Sequence, residues 1–186
     1  MQKKKVNIKN LTVAALLTAI ALLIPMVMPF KLVIEPIFSA TFAAHVPGIL
    51  AMLTGPFAVI GTAVGSALGF FQALGNPWVS ARALTHLVFG LFGFYMIKKR
   101  YNIVLVAVLS GLVHAACEMI IGLISLPFIV VPDAGVLFYI LLTVGLGTFI
   151  HHCIDFAIVM VIYKPLEKAG VLPYKINLRH FKEKEN

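Results

Sequence analysis

The stretch WVSARALTHLVFG, from Trp78 to Gly90, sets Arg82 and His86 one helical turn apart in a run otherwise suited to lipid. A guanidinium near the centre of a bilayer costs about 2.5–3.5 kcal/mol on insertion scales. It therefore needs a buried partner, a ligand, or a route to the headgroups. Its planar fork suits a carboxylate. Glu118 supplies a candidate partner in a later apolar run, with His114 one turn before it on the same helical face. His45, Gln72, Asn76 and Trp78 are further polar or amphipathic groups at apolar-run ends. Two readings stay open. Arg82 and Glu118 form a structural ion pair with histidines as hydrogen-bonding glue, or Arg82 snorkels outward; alternatively, the groups line a ligand site. A second group, His151, His152 and Asp155, falls in the last apolar run. Imidazole and carboxylate suit a metal site, a proton relay, or plain structural hydrogen bonding. His180 lies in a basic tail and reads as solvated.

The elements that must position these residues follow from composition. The chain has 186 residues, 61% hydrophobic and 12% charged, against roughly 25% charged in soluble proteins. The apolar residues form long runs, so the expected fold is an all-α integral membrane protein, one transmembrane domain over 1–186. A basic N-terminus (1–10) precedes six spans (about 11–163), and a basic tail (164–186) follows. The spans run about Leu11 to Met28, Ala40 to Leu53, Phe57 to Leu74, Val79 to Ile97, Ile103 to Phe128 and Val136 to Tyr163. The second is short for a crossing of roughly 20 residues and carries Pro47, so it is a short, tilted or re-entrant piece.

The net charge of +8 is placed as an orientation signal, not as a nucleic-acid footprint. Lys3, Lys4, Lys5 and Lys9 precede the first span. Lys98, Lys99 and Arg100 form one loop, and Lys164, Lys168, Lys175, Arg179, Lys182 and Lys184 follow the last span. The opposite loops, Phe30 to Ser39, Gly75 to Pro77 and Val131 to Gly135, hold Lys31, Glu35 and Asp133. Both termini are thus expected inside. In that arrangement Arg82, His86, His114, Glu118 and His45 fall in the outer halves of separate spans, with Asn76 and Trp78 at the mouth and Gln72 just before them. With Phe70, Phe71 and Trp78 beside them, they predict a polar cavity open to the outside. Trp78 equally suits an interfacial anchor. His151, His152 and Asp155 are expected nearer the middle or inner half.

Small residues recur at every fourth position in two spans: Gly61, Gly65 and Gly69, and Ala15 and Ala19. Such rows serve internal packing or docking of another membrane protein. Cys117 and Cys153 read as small buried residues without metal spacing. No serine elbow, paired-carboxylate signature or phosphate-binding loop is present in the sequence, so no catalytic residue, cofactor or resident metal is expected.

These features resemble the substrate-binding (S) components of energy-coupling factor (ECF) vitamin transporters. The resemblance covers nearly the whole chain, most specifically in LTVAALLTAIALLIPM with Ala15 and Ala19. FSATFAAHVP and RALTHLVFG look like the niacin-type group. The resemblance implies a non-enzymatic vitamin-capture subunit in a bacterial cell membrane, its partners a transmembrane coupling subunit and two ATPases. Ala15 and Ala19 would meet the coupling subunit. Arg82 would clamp the nicotinate carboxylate, His45 or His86 would meet the carboxylate or ring nitrogen, and Trp78 would cover the ring. Glu118 departs from what an anionic ligand wants: it would orient Arg82 or His86, or, facing the ligand itself, would favour a cationic or amide-bearing vitamin. The alternatives are another vitamin or precursor (pyridoxine, pantothenate, hydroxymethylpyrimidine, cobalamin), a histidine-based metal transporter, a membrane enzyme using His151, His152 and Asp155, or a scaffold without ligand.

Overall fold

Uncharged apolar runs in a bilayer must satisfy their backbone internally, and helices do this within one segment. The computed structural model describes residues 8–131 and 135–178, and these are mainly helical. Lys3, Lys4, Lys5, Asp133, Arg179, His180, Lys182 and Lys184 lie outside the described residues. In chain order the elements are α1 (Ile8–Val27), β1 (Lys31–Ile34), β2 (Phe38–Thr41), α2 (Val46–Met52), α3 (Pro56–Leu74), α4 (Pro77–Leu84), α5 (His86–Lys98) and α6 (Ile103–Ser125). A short α7 (Val136–Phe138), a π-helical stretch (Tyr139–Leu146) and α8 (Gly147–Lys168) follow. Among the described residues, five segments are long and apolar enough to cross a membrane: Ile8–Val27, Pro56–Leu74, Pro77–Lys98, Ile103–Phe128 and Val136–Lys168. Their outward faces carry Leu16, Ile20, Phe57, Val104 and Val161, all exposed, as suits contact with lipid.

Three features depart from the expectation. The Phe30 to Ser39 loop is an antiparallel hairpin in which Lys31 pairs with Thr41 and Ile34 with Phe38, so the fold is not purely α. The β-branched run KLVI favours an extended strand, and Pro36 falls in the turn. The stretch expected as span two contains the end of β2 and the seven-residue α2. At about 1.5 Å per residue such a helix covers about a third of the hydrocarbon. Span four is two helices, α4 and α5, joined at Thr85.

The α3 glycine row explains how the bundle closes. A Cβ on Gly61 or Gly65 would strike Thr18, and one on Gly69 would strike the backbone of Leu22. Rising numbers on α3 thus meet rising numbers on α1, so these helices run side by side in the same direction. The row serves internal packing. Ala15 and Ala19, on the other face of α1, are exposed.

Connections at one end of the bundle are tied together. Lys9 reaches Gly170, Tyr174 N donates to Leu53 O at 3.1 Å, and Asn177 Nδ2 donates to Arg100 O at 2.7 Å. The largest apolar core, including Met52, Phe89, Val106 and Val159, fills the bundle. Smaller clusters surround Ile37, Phe38 and Tyr139, and Ala67, Phe70 and Val79.

Candidate functional site

Where the three apolar clusters meet, the helices enclose a connected set of polar side chains. Arg82, on the inward face of α4, is 2% exposed and Glu118 on α6 is 4% exposed. Arg82 Nη2 donates to Glu118 Oε2, and Nη1 donates to the carbonyl of Ile37 in the hairpin. Thr148, at the start of α8, donates to the same Glu118 oxygen. The guanidinium carbon lies 5.3 Å from the centre of the Phe38 ring. A buried charge pair breaks even only when its remaining hydrogen-bonding groups are also satisfied. Here one is not: Arg82 Nε is buried without a partner, as is the hydroxyl of Ser39.

Five imidazoles gather against this pair. His45 precedes α2, His86 opens α5, His114 lies on α6, and His151 and His152 lie on α8. His114 Nε2 is 3.2 Å from Glu118 Oε1, and His86 Nε2 is 4.0 Å from it. His114 Nδ1 faces His152 Nδ1 at 3.4 Å, and His152 Nε2 meets Ser110 Oγ at 3.1 Å. Asp155 accepts from the backbone N–H groups of Ala43 (3.0 Å) and His45 (2.9 Å), fixing the entry to α2. Its Oδ2 also stands 3.0 Å from His45 Nδ1 and 3.3 Å from His151 Nε2. His151 Nε2 approaches the carbonyl of Thr41 at 3.0 Å. The groups on α6 and α8, separate in the sequence, are therefore one network. His151 lines the same cavity as Arg82, so the group on the last span is not separate from it.

The hairpin turn is held from several sides. Tyr139 Oη accepts from Ile37 N and Phe38 N, both at 3.1 Å, and donates to Ile34 O at 2.9 Å. Tyr139 opens the π-helical stretch, a distortion that recurs at functional sites. Asn76 caps α4 through Oδ1, accepting from Trp78 N and Val79 N, while its Nδ2 donates to Pro36 O at 2.8 Å.

The cavity is lined by Ser39, His45, Phe70, Val79, Arg82, Ala83, His86, Glu118 and His151. Its water-accessible volume is about 10 Å³, room for about one water molecule. Typical small-molecule pockets are about 300–1,000 Å³, so a ring-sized ligand requires the walls to part.

Of the residues singled out in the sequence, Arg82, His86, His45 and Glu118 line this cavity, and His114 packs against His45 and His86. Asn76 acts as a cap and hairpin tie. Trp78 stacks on Phe128 at 5.3 Å, and it does not line the cavity. Gln72 is exposed on α3. Ser39 and Tyr139 carried no signal of their own in the sequence: their importance comes from the hairpin, which periodicity alone did not reveal. Cys117 and Cys153 are free and half-buried.

No protein-family model and no solved structure matches the chain. The niacin transporter NiaX of Lactococcus lactis subsp. cremoris (strain MG1363) is 37% identical over 177 residues, covering 90% of this chain and 79% of its own. That relative is named for transport and not for catalysis. Identity at that level over that share of both chains places this multi-pass membrane protein in the NiaX transporter family.

Proposed function

We propose that the protein captures niacin from the outer face of the membrane as the S component of an ECF importer. The observation that carries this reading is the buried Arg82, which lines the cavity and keeps an unpaired Nε, with the unpaired Ser39 hydroxyl in the lining of the same cavity. Orphaned buried donors are costly. A carboxylate would satisfy both and fit the guanidinium fork. The named substrate of the NiaX relative supports nicotinate as that carboxylate. Without ligand, Glu118 pairs with Arg82 and offsets its burial. With ligand, Glu118 keeps Thr148 and His114, so it orients the site while Arg82 turns to the vitamin.

The hairpin is the closing element. Arg82 holds the carbonyl of Ile37, so engagement of Arg82 by ligand and the seating of the hairpin are mechanically linked. Niacin enters, the hairpin reseats over it, and the subunit docks on a coupling protein that two ATPases drive.

The orientation that fits is six crossings with both termini cytoplasmic. The parallel course of α1 and α3 requires the chain to return between them, and the hairpin with α2 makes that return. Lys9, Lys98, Lys99, Arg100, Lys164 and Lys168 then share the inner side.

The test is calorimetric titration of the purified protein with nicotinate and nicotinamide, with Trp78 fluorescence in parallel. Saturable nicotinate binding, at least tenfold tighter than the neutral amide, is expected. Equal affinity for the two would remove the carboxylate clamp. Silence toward both would remove niacin as the ligand.

A further inference from the structure

His45, His86 and His114 come from three different parts of the chain, and one ring nitrogen from each lies within 4.8 Å of the others. Their rings are nearly perpendicular in pairs, at 75°, 80° and 86°. Their centres are 4.8 Å (His45–His86), 4.6 Å (His45–His114) and 5.0 Å (His86–His114) apart. Zn–N bonds of about 2.0–2.1 Å in a tetrahedral shell place three ligated imidazole rings about 5 Å apart, centre to centre. The ring centres thus stand near the spacing that a shared ion imposes, and the nitrogens, which lie within 4.8 Å of one another, would draw in to about 3.3 Å around it.

Hydrogen bonding accounts for both nitrogens of His114, through His152 and Glu118, but poorly for His45 and His86. His45 Nδ1 is buried and misaligned for a hydrogen bond, although Asp155 Oδ2 is only 3.0 Å away. His86 Nε2 stands 4.0 Å from Glu118, beyond hydrogen-bond reach. Glu118, 3.2 Å from His114 Nε2, occupies the place of a carboxylate that orients a metal-bound imidazole, and Asp155 stands close enough to His45 Nδ1 to do the same once that ring turns. Asp155 is itself fixed by two backbone N–H groups.

We propose that His45, His86 and His114 bind a borderline divalent transition ion of the zinc class, whose open position accepts the ring nitrogen of the pyridine ligand. This rests on the niacin reading above. Pyridine nitrogen is a suitable donor to such an ion. In nicotinate the nitrogen and the carboxylate are meta to each other, so they cannot close on one ion. They reach two separate positive centres, the metal and Arg82. Charge follows the same logic. With neutral imidazoles, Arg82, Glu118 and Asp155 carry a formal net charge of −1. A divalent ion changes this to +1, and the nicotinate anion brings it to zero. A neutral buried site is the least costly final state, so metal and vitamin bind cooperatively.

The experiment uses full-length protein purified without a polyhistidine tag, then stripped with chelator and reloaded with Zn²⁺ or Co²⁺. Metal content and calorimetric affinity for nicotinate and benzoate are measured in each state. One ion per chain is expected. Stripping weakens nicotinate binding at least tenfold, and Zn²⁺ restores it. Benzoate, with the carboxylate but no ring nitrogen, gains nothing from Zn²⁺. The visible spectrum of the Co²⁺ form shifts on adding nicotinate and not on adding benzoate. His86→Gln loses the metal dependence, and the spectroscopy on unmodified protein keeps the test valid if that variant folds poorly. Absence of stoichiometric metal, or nicotinate affinity indifferent to stripping, overturns the metal centre and leaves the niacin reading standing. One ion per chain with no nicotinate binding in any state overturns the niacin reading and the shared coordination, while the metal centre stands.

Discussion

Arg82 illustrates how one costly residue serves both stability and recognition. Removing one partner of a buried pair typically costs about 3–5 kcal/mol, because the survivor is left uncompensated. Arg82→Met should therefore lower the thermal midpoint sharply, and that alone would say nothing about ligand. The informative comparison is with the double variant Arg82→Met, Glu118→Gln. It removes both charges, keeps similar volumes, and leaves Thr148 and His114 able to bond the new amide. The double variant should recover most of the lost stability yet bind nicotinate at least a hundredfold more weakly than the parent. Parent-like affinity in that protein would show that Arg82 serves structure only.

At the scale of elements, the α1–α3 contact is set by two backbones and the absence of side chains between them. A Cβ on Gly69 would lie 2.2 Å from the carbonyl oxygen of Leu22, a backbone atom that cannot rotate away. On Gly61 the nearest atom is Thr18 Oγ1, which can turn at χ1 at the loss of its bond to Ala14 O. Replacing Gly by Ala gains about 1 kcal/mol of helix propensity, whereas overpacking costs about 1–3 kcal/mol. Gly69→Ala should thus be destabilising by about 1–2 kcal/mol net, and Gly61→Ala close to neutral. Thermal unfolding of both variants in detergent checks this ordering, and a more stable Gly69→Ala would mean that α1 and α3 are not so close. A second contact at this scale is Tyr139 with the hairpin. Tyr139→Phe leaves two buried N–H groups unpaired, each costing about 1–3 kcal/mol. It should loosen the hairpin and speed nicotinate release, measured by stopped-flow fluorescence. Unchanged release would separate the hairpin from ligand retention. These elements also show what the sequence could and could not disclose. Long apolar runs and the placement of lysines made the five long segments and the bundle end readable. The hairpin was not, because Lys31, Glu35 and Pro36 mark KLVIEPIFSAT as a loop between spans, and its four-residue strands are too short for their alternation to speak. Arg82, His86 and Glu118 announced themselves as charges where lipid should be. That His151 and Asp155 join the same network was not legible, because their contacts run to His45 and Thr41, about 110 residues away in the chain.

For the whole molecule, the exposed surface must divide between lipid and partner. Leu16, Ile20 and Leu23 on α1 are exposed and suit either. What differs is the flat ground between them, where Ala15 and Ala19 are exposed while Ala14, Leu17 and Ala21 turn inward. Lipid does not need small residues, since chains adapt to any relief, but an approaching helix gains contact only where side chains are short. The double variant Ala15→Trp, Ala19→Trp therefore separates the two uses of this face. It adds bulk at two exposed positions, so the thermal midpoint and nicotinate affinity should stay near those of the parent. Co-purification with a coupling subunit and its ATPases should fall at least tenfold. Val161→Trp, on α8 at 79% exposure, is the matched control and should assemble normally. Full assembly of the alanine variant would move the docking face elsewhere on the bundle. Loss of nicotinate binding in that variant would instead mean that α1 moves with the site.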